Sequence, residues 1–172
     1  MLLGTASAIP AGTRDYRIRA VKRILFVCTG NTCRSALAEG IARARLGPEA
    51  GVAFESAGLS ALEDAPATPH TVEVAAEAGV GLAGHRARSI TRSMVAGADH
   101  IYVMTRSQAD ALAHLRADLE GKVALLDPGG EDVADPYGGD LFTYRQARDR
   151  IAAAVAARVP EWRAASGRAA SV

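Results

Sequence analysis

The stretch Arg23-Ile24-Leu25-Phe26-Val27-Cys28, running through Thr29-Gly30-Asn31-Thr32-Cys33-Arg34 into Ser35-Ala36-Leu37-Ala38-Glu39-Gly40-Ile41-Ala42-Arg43-Ala44-Arg45-Leu46, decides the fold. Its first part is a short apolar run with β-branched and aromatic members, the pattern of a strand covered on both faces. Thr29, Gly30 and Asn31 suit a tight turn. Residues 35–46 are rich in helix formers, and Gly47-Pro48 stops them. A strand therefore feeds a helix through a very short loop, with Cys28 at the strand's carboxyl end.

The same alternation continues downstream. Strands are expected over 52–57, 99–104 and 122–126, and helices over 69–78, 107–119 and 141–162. Four strands alternating with helices imply right-handed crossovers. The fold class is α/β: a doubly wound, four-stranded parallel sheet with helices on both faces, a flavodoxin-like three-layer sandwich. Such folds place ligands at the carboxyl ends of their strands, where the Cys28 loop lies. Residues 1–20 read as a flexible N-terminal leader, 21–165 as one folded domain and 166–172 as a flexible tail. Trp162 is expected to anchor the last helix to the core.

With 49% hydrophobic and 23% charged residues, the chain of 172 is an ordinary globular one. Twenty basic side chains against nineteen acidic leave a net charge of +1, so no global field draws nucleic acid or an anionic membrane. No apolar run approaches the roughly 20 residues of a spanning helix, and no export signal is legible. Cys28 and Cys33 are too close in sequence to staple a secreted fold, which points to a reducing, cytoplasmic setting. His70, His85, His100 and His114 are scattered without metal-ligand spacing, so neither metal nor cofactor is expected.

A nucleophilic thiol needs positive charge, a helix N-terminus and backbone donors around its sulfur. The Cys28–Ser35 segment offers all three. Arg34 brings a planar fork suited to two phosphate oxygens, and the amides of Thr29, Gly30, Asn31, Thr32, Cys33 and Arg34 can form an anion nest. Ser35 either donates to the thiolate or caps the helix.

Taken whole, Val27-Cys28-Thr29-Gly30-Asn31-Thr32-Cys33-Arg34-Ser35 resembles the signature of the low-molecular-weight protein tyrosine phosphatases and related bacterial phosphatases. The resemblance extends through Phe54-Glu55-Ser56-Ala57-Gly58, Gly84-His85-Arg86-Ala87-Arg88 and Asp135-Pro136-Tyr137-Gly138-Gly139, over roughly residues 22 to 163. It implies a hydrolase in which Cys28 is the nucleophile and Arg34 binds phosphate. Ser35 would support the thiolate, and Asn31 with Ser56 would hold the loop's shape. On position alone, Ser56 is equally an ordinary polar residue at a strand end. The implied partners are phosphorylated proteins as substrates and inorganic phosphate as product and inhibitor.

Expelling a phenol or a guanidine calls for a proton donor beside the leaving atom. By composition Asp127, Asp132 and Asp135 all qualify, and each also suits a turn. The resemblance assigns the role to Asp135, in the Asp-Pro-aromatic motif. Activity should then peak below neutrality, with Cys28 deprotonated and Asp135 protonated. Cys33 is either a buried small residue or the partner of a transient disulfide that shields Cys28 from over-oxidation.

Thr32 bears on the substrate, because it sets a hydroxyl where many tyrosine-directed relatives carry a branched aliphatic side chain. A hydroxyl suits a polar guanidinium-phosphate centre. With the Asp-Pro-aromatic-Gly-Gly continuation, it makes the chain resemble the bacterial protein arginine phosphatase branch, while Tyr137 could still wall an aromatic ring. The alternatives are a tyrosine phosphatase proper, an arsenate reductase of the same fold, which would need an external thiol to complete its relay, and a non-catalytic phosphoprotein-binding module.

Overall fold

The structure, a computed structural model, describes residues 21–115, 119 and 121–165. The leader and the tail expected from the sequence lie outside the described residues. The elements are β1 (Lys22–Cys28), α1 (Arg34–Leu46), β2 (Val52–Gly58), α2 (Pro69–Glu77), α3 (Arg92–Gly97), β3 (His100–Val103), α4 (Arg106–Leu115), β4 (Val123–Leu125) and α5 (Leu141–Ala165). The four strands form one parallel sheet in the order β2-β1-β3-β4.

The residue pattern of β1 explains the layering. Side chains alternate across a strand, so Ile24, Phe26 and Cys28 pack into one core with Leu37, Ile41 and Val155, from α1 and α5. Leu25 and Val27 pack into the other, with Val95 of α3 and Leu112 of α4. An all-apolar strand is what a sheet covered on both faces requires. On the first face Phe26, Phe54, Tyr102 and Trp162 form an aromatic cluster. Trp162 is fully buried and its Nε1 donates to Tyr102 Oη at 3.1 Å. Emptying that position costs about 3–5 kcal/mol.

Three elements differ from the sequence expectation. Helix α3 was not anticipated: its six residues bury only Val95, too little for a helical period to show, although Thr91 caps it by accepting from Met94 N. Strands β3 and β4 are shorter than expected, at four and three residues. The described part of α4 runs from Arg106 to Leu115, and residues 116–118 of the expected span lie outside the described residues.

Chain order fixes where a ligand can sit. From β1 the chain crosses to β2 on one side, and later to β3 on the other, so the connections diverge at the carboxyl end of β1. That divergence leaves a crevice, the topological switch point of a doubly wound sheet. Cys28 ends β1 there.

Candidate active site

The loop from Cys28 to Arg34 is built around Asn31, which is fully buried and takes a left-handed φ of 56°. Gly30, which the sequence also suggested for the turn, does not adopt positive φ. An asparagine tolerates this conformation, and here every polar group of Asn31 is used. Its backbone N–H donates to Cys28 Sγ at 3.3 Å. Its side-chain amide donates to Ser35 Oγ at 2.8 Å and to Ser56 Oγ at 3.0 Å. Its Oδ1 accepts from Arg88 N at 3.0 Å, and its carbonyl faces His85 Nε2 at 2.6 Å, which fixes that ring nitrogen as the protonated one.

Around the sulfur these contacts converge. Ser35 Oγ lies 3.0 Å from Cys28 Sγ. Ser56 Oγ donates its own hydrogen bond to Glu39 Oε2 at 2.6 Å. Helix α1 begins with no side-chain cap at Cys33, so its first amides stay free to meet an anion. Gly58 is required opposite the loop: a Cβ there would sit 2.6 Å from the Thr29 carbonyl oxygen and 3.0 Å from Asn31 N.

Arg34 is only 3% exposed. Its Nη1 donates to the Val133 carbonyl at 3.1 Å and its Nη2 to Asp135 Oδ2 at 2.6 Å. Its Nε is buried and meets no acceptor among the described residues. The 127–140 segment is thereby tied to the loop, and Val133 N donates to the Met104 carbonyl at 2.8 Å. Asp135 Oδ1 in turn accepts from Tyr137 N at 3.2 Å, a local turn that holds the carboxylate over the mouth.

A cavity of about 500 Å³ opens here, lined by Cys28, Thr29, Gly30, Thr32, Cys33, Arg34, Asp135 and Tyr137. Leu62, Pro66 and Thr68 complete its far wall. Tyr137 stands 72% exposed at the rim. Thr32 is anchored through its carbonyl, which accepts from Thr68 N at 3.1 Å. Cys33 is buried, with Thr68 Oγ1 at 3.5 Å and Tyr144 Oη at 3.7 Å. Burial foremost pushes the Tyr144 phenol above its ordinary value.

The structure thus gathers Cys28, Thr29, Gly30, Thr32, Cys33, Arg34, Asp135 and Tyr137 at one cavity, while Asn31 and Ser35, both fully buried, and Ser56 stand behind the loop and do not line it. Asp127 and Asp132 are engaged elsewhere: Asp127 pairs with Arg150, and Asp132 accepts from Arg106 N. Sequence reasoning did not single out His85, Arg88, Glu39, Gln108 or the steric need for Gly58. His85 and Arg88 lie within the Gly84-His85-Arg86-Ala87-Arg88 motif, which was the available signal.

Comparison with known proteins agrees with this geometry. The sequence model of the family described as low molecular weight phosphotyrosine protein phosphatase matches residues 23–164. The probable low molecular weight protein-tyrosine-phosphatase EpsP of Ralstonia nicotianae is 39% identical, over 84% of this chain and 98% of its own. The protein-arginine-phosphatase of Geobacillus stearothermophilus is 37% identical, over 75% and 88% respectively. Among solved structures, Vibrio vulnificus Wzb in complex with benzylphosphonate superimposes with a TM-score of 0.77 at 28% identity, covering 82% of this chain and 99% of that one. The match to the family along nearly the whole described chain, joined to the Cys28 loop at the switch point of the sheet, places this chain in the low molecular weight phosphotyrosine protein phosphatase family.

Proposed function

We propose that this phosphatase hydrolyses phosphorylated protein side chains through a phosphocysteine at Cys28, and that phosphoarginine is preferred over phosphotyrosine. One observation carries the reading: a cysteine sulfur that accepts from Asn31 N–H and lies 3.0 Å from Ser35 Oγ shares a cavity with a buried arginine whose Nε has no acceptor among the described residues. A tetrahedral oxyanion satisfies that orphan donor and the uncapped amides of α1 together.

Cys28 attacks phosphorus as the thiolate, forming an S–P bond as the bond from phosphorus to the side-chain nitrogen or oxygen breaks. Asp135 gives its proton to the departing atom. The resulting carboxylate then takes a proton from water, whose oxygen attacks phosphorus and breaks the S–P bond. Inorganic phosphate leaves, and the thiolate returns to the donors Asn31 N–H and Ser35 O–H. Phosphate, as product, occupies the same cradle and inhibits competitively.

The preference for phosphoarginine rests on Thr32, a residue of the cavity wall whose Oγ1 lies 3.8 Å from Cys33 Sγ. Leu62, Pro66 and Tyr137 are apolar or aromatic walls that suit a phenyl ring, which favours phosphotyrosine as the second reading. Relatives of both kinds share the chain's fold, so the choice turns on residues. Turnover of phosphoarginine and phosphotyrosine peptides, repeated with Thr32→Ile, separates them. The isoleucine variant should shift the kcat/KM ratio toward phosphotyrosine by about tenfold or more. An unchanged ratio removes Thr32 as the selector, and inactivity of the natural chain on both peptides removes the whole proposal.

A further inference from the structure

Gln108 is a polar residue only 5% exposed, on α4, on the opposite side of the sheet from α1. Its Oε1 accepts from two backbone amides, Met104 N at 2.9 Å and Thr105 N at 3.2 Å. Backbone N–H groups only donate, so the atom facing them is the carbonyl oxygen and the side-chain orientation is fixed. The amide nitrogen therefore faces Thr29 Oγ1, 3.2 Å away, and donates to it.

This sets the polarity of Thr29. A hydroxyl carries one proton. With Gln108 donating to its oxygen, Thr29 must send that proton elsewhere, and no described residue accepts it. Thr29 itself is exposed to solvent and lines the same cavity as Cys28, Arg34 and Asp135. Its backbone is fixed as well, since the Thr29 carbonyl accepts from Ser60 N at 2.9 Å.

We infer that the Thr29 side chain is a further phosphate donor in the cavity, with Gln108 as the positioning residue that forces its proton toward the bound phosphoryl oxygen. The inference rests on the proposed phosphate-binding role of the site. It adds a side-chain hydroxyl to the loop amides and the guanidinium, and links the site to the α4 face of the sheet.

Calorimetric titration with inorganic phosphate tests it without turnover. Thr29→Val should weaken phosphate binding about tenfold, the size of one lost hydrogen bond to a charged group, while Thr29→Ser, which keeps the hydroxyl, should recover most of that loss. Gln108→Glu keeps an oxygen for the two backbone amides but presents a second acceptor to Thr29, drawing its proton away from the cavity. Its effect should therefore be coupled to Thr29 in a double-mutant cycle, shrinking markedly in the T29V background. An unchanged phosphate affinity in T29V, or strictly additive effects of T29V and Q108E, would overturn the inference. If the natural chain bound no phosphate at all, the proposed function would fail first, so the two failures read differently.

Discussion

Arg34 and Asp135 meet at the mouth of the cavity, Nη2 to Oδ2 at 2.6 Å, with the guanidinium side chain 4% exposed and the carboxylate side chain 48% exposed. A buried cation thus reaches out to an acid on a surface loop. The pair ties the segment carrying Asp135 to the Cys28–Arg34 loop, so a group suited to binding phosphate also positions a group suited to moving protons.

Asp135→Asn should separate the two roles. It keeps the shape but has no proton to give, so kcat on substrates with basic leaving groups should fall by roughly 10²–10⁴, and the alkaline limb of the pH–rate profile should disappear. Inorganic phosphate should bind severalfold more tightly, because the carboxylate no longer competes for Arg34 or repels the dianion. Phosphate affinity lowered together with kcat would contradict the assignment.

Asn31→Ala should act on the loop itself. The variant puts alanine at φ 56° and strips buried donors and acceptors from Ser35, Ser56 and Arg88. Urea unfolding should show a loss of about 2–4 kcal/mol, combining left-handed strain with unsatisfied buried groups. A loss within about 0.5 kcal/mol, the range of a neutral surface change, would contradict the network described here.

Gly58→Ala tests the loop from behind. Its Cβ must displace the Thr29 carbonyl or the Asn31 amide, both of them backbone. Circular dichroism should show the secondary structure retained while phosphate affinity and kcat both drop by about tenfold or more, since small misplacements at a reacting centre are costly.

How much of this was legible in the sequence follows from what is local. The β1 strand, the loop and α1 are contiguous, so apolar run, turn residues and helix formers announced them together, and Cys28, Arg34 and Ser35 came with them. Asp135 was legible through its Asp-Pro-aromatic context. The partners that fix the loop were not, because they arrive from far along the chain: His85 lies 54 residues beyond Asn31, and Gln108 lies 79 beyond Thr29. No periodicity encodes such meetings. Glu39 was hidden differently, as one more helix former in α1 until its carboxylate was seen facing Ser56. Helix α3 escaped because a short helix over one buried valine leaves no pattern.

Away from the site, Glu77 of α2 bridges Arg145 and Arg148 of α5. Hydrogen bonding from Arg145 foremost holds the Glu77 carboxyl down at about 2, from an ordinary 4.5. A carboxyl lowered in the folded state stabilises it above the unfolded value and loses that contribution as pH falls through the folded one. The stability difference between the natural chain and Glu77→Gln should therefore be steady near neutrality and shrink between about pH 4.5 and 2. Added salt should narrow it too, because the cluster is on the surface. A difference that is independent of pH over that window would contradict the ion-pair account.

In the proposed reaction Cys28 carries the phosphoryl group between the two steps. Rapid acid quench of the protein during turnover, followed by peptide mass spectrometry, measures this directly. One phosphoryl group on the peptide containing Cys28 during turnover, with turnover abolished in Cys28→Ser, is the expected result. Continued turnover by Cys28→Ser, or a phosphoryl group found only on other residues, would contradict it.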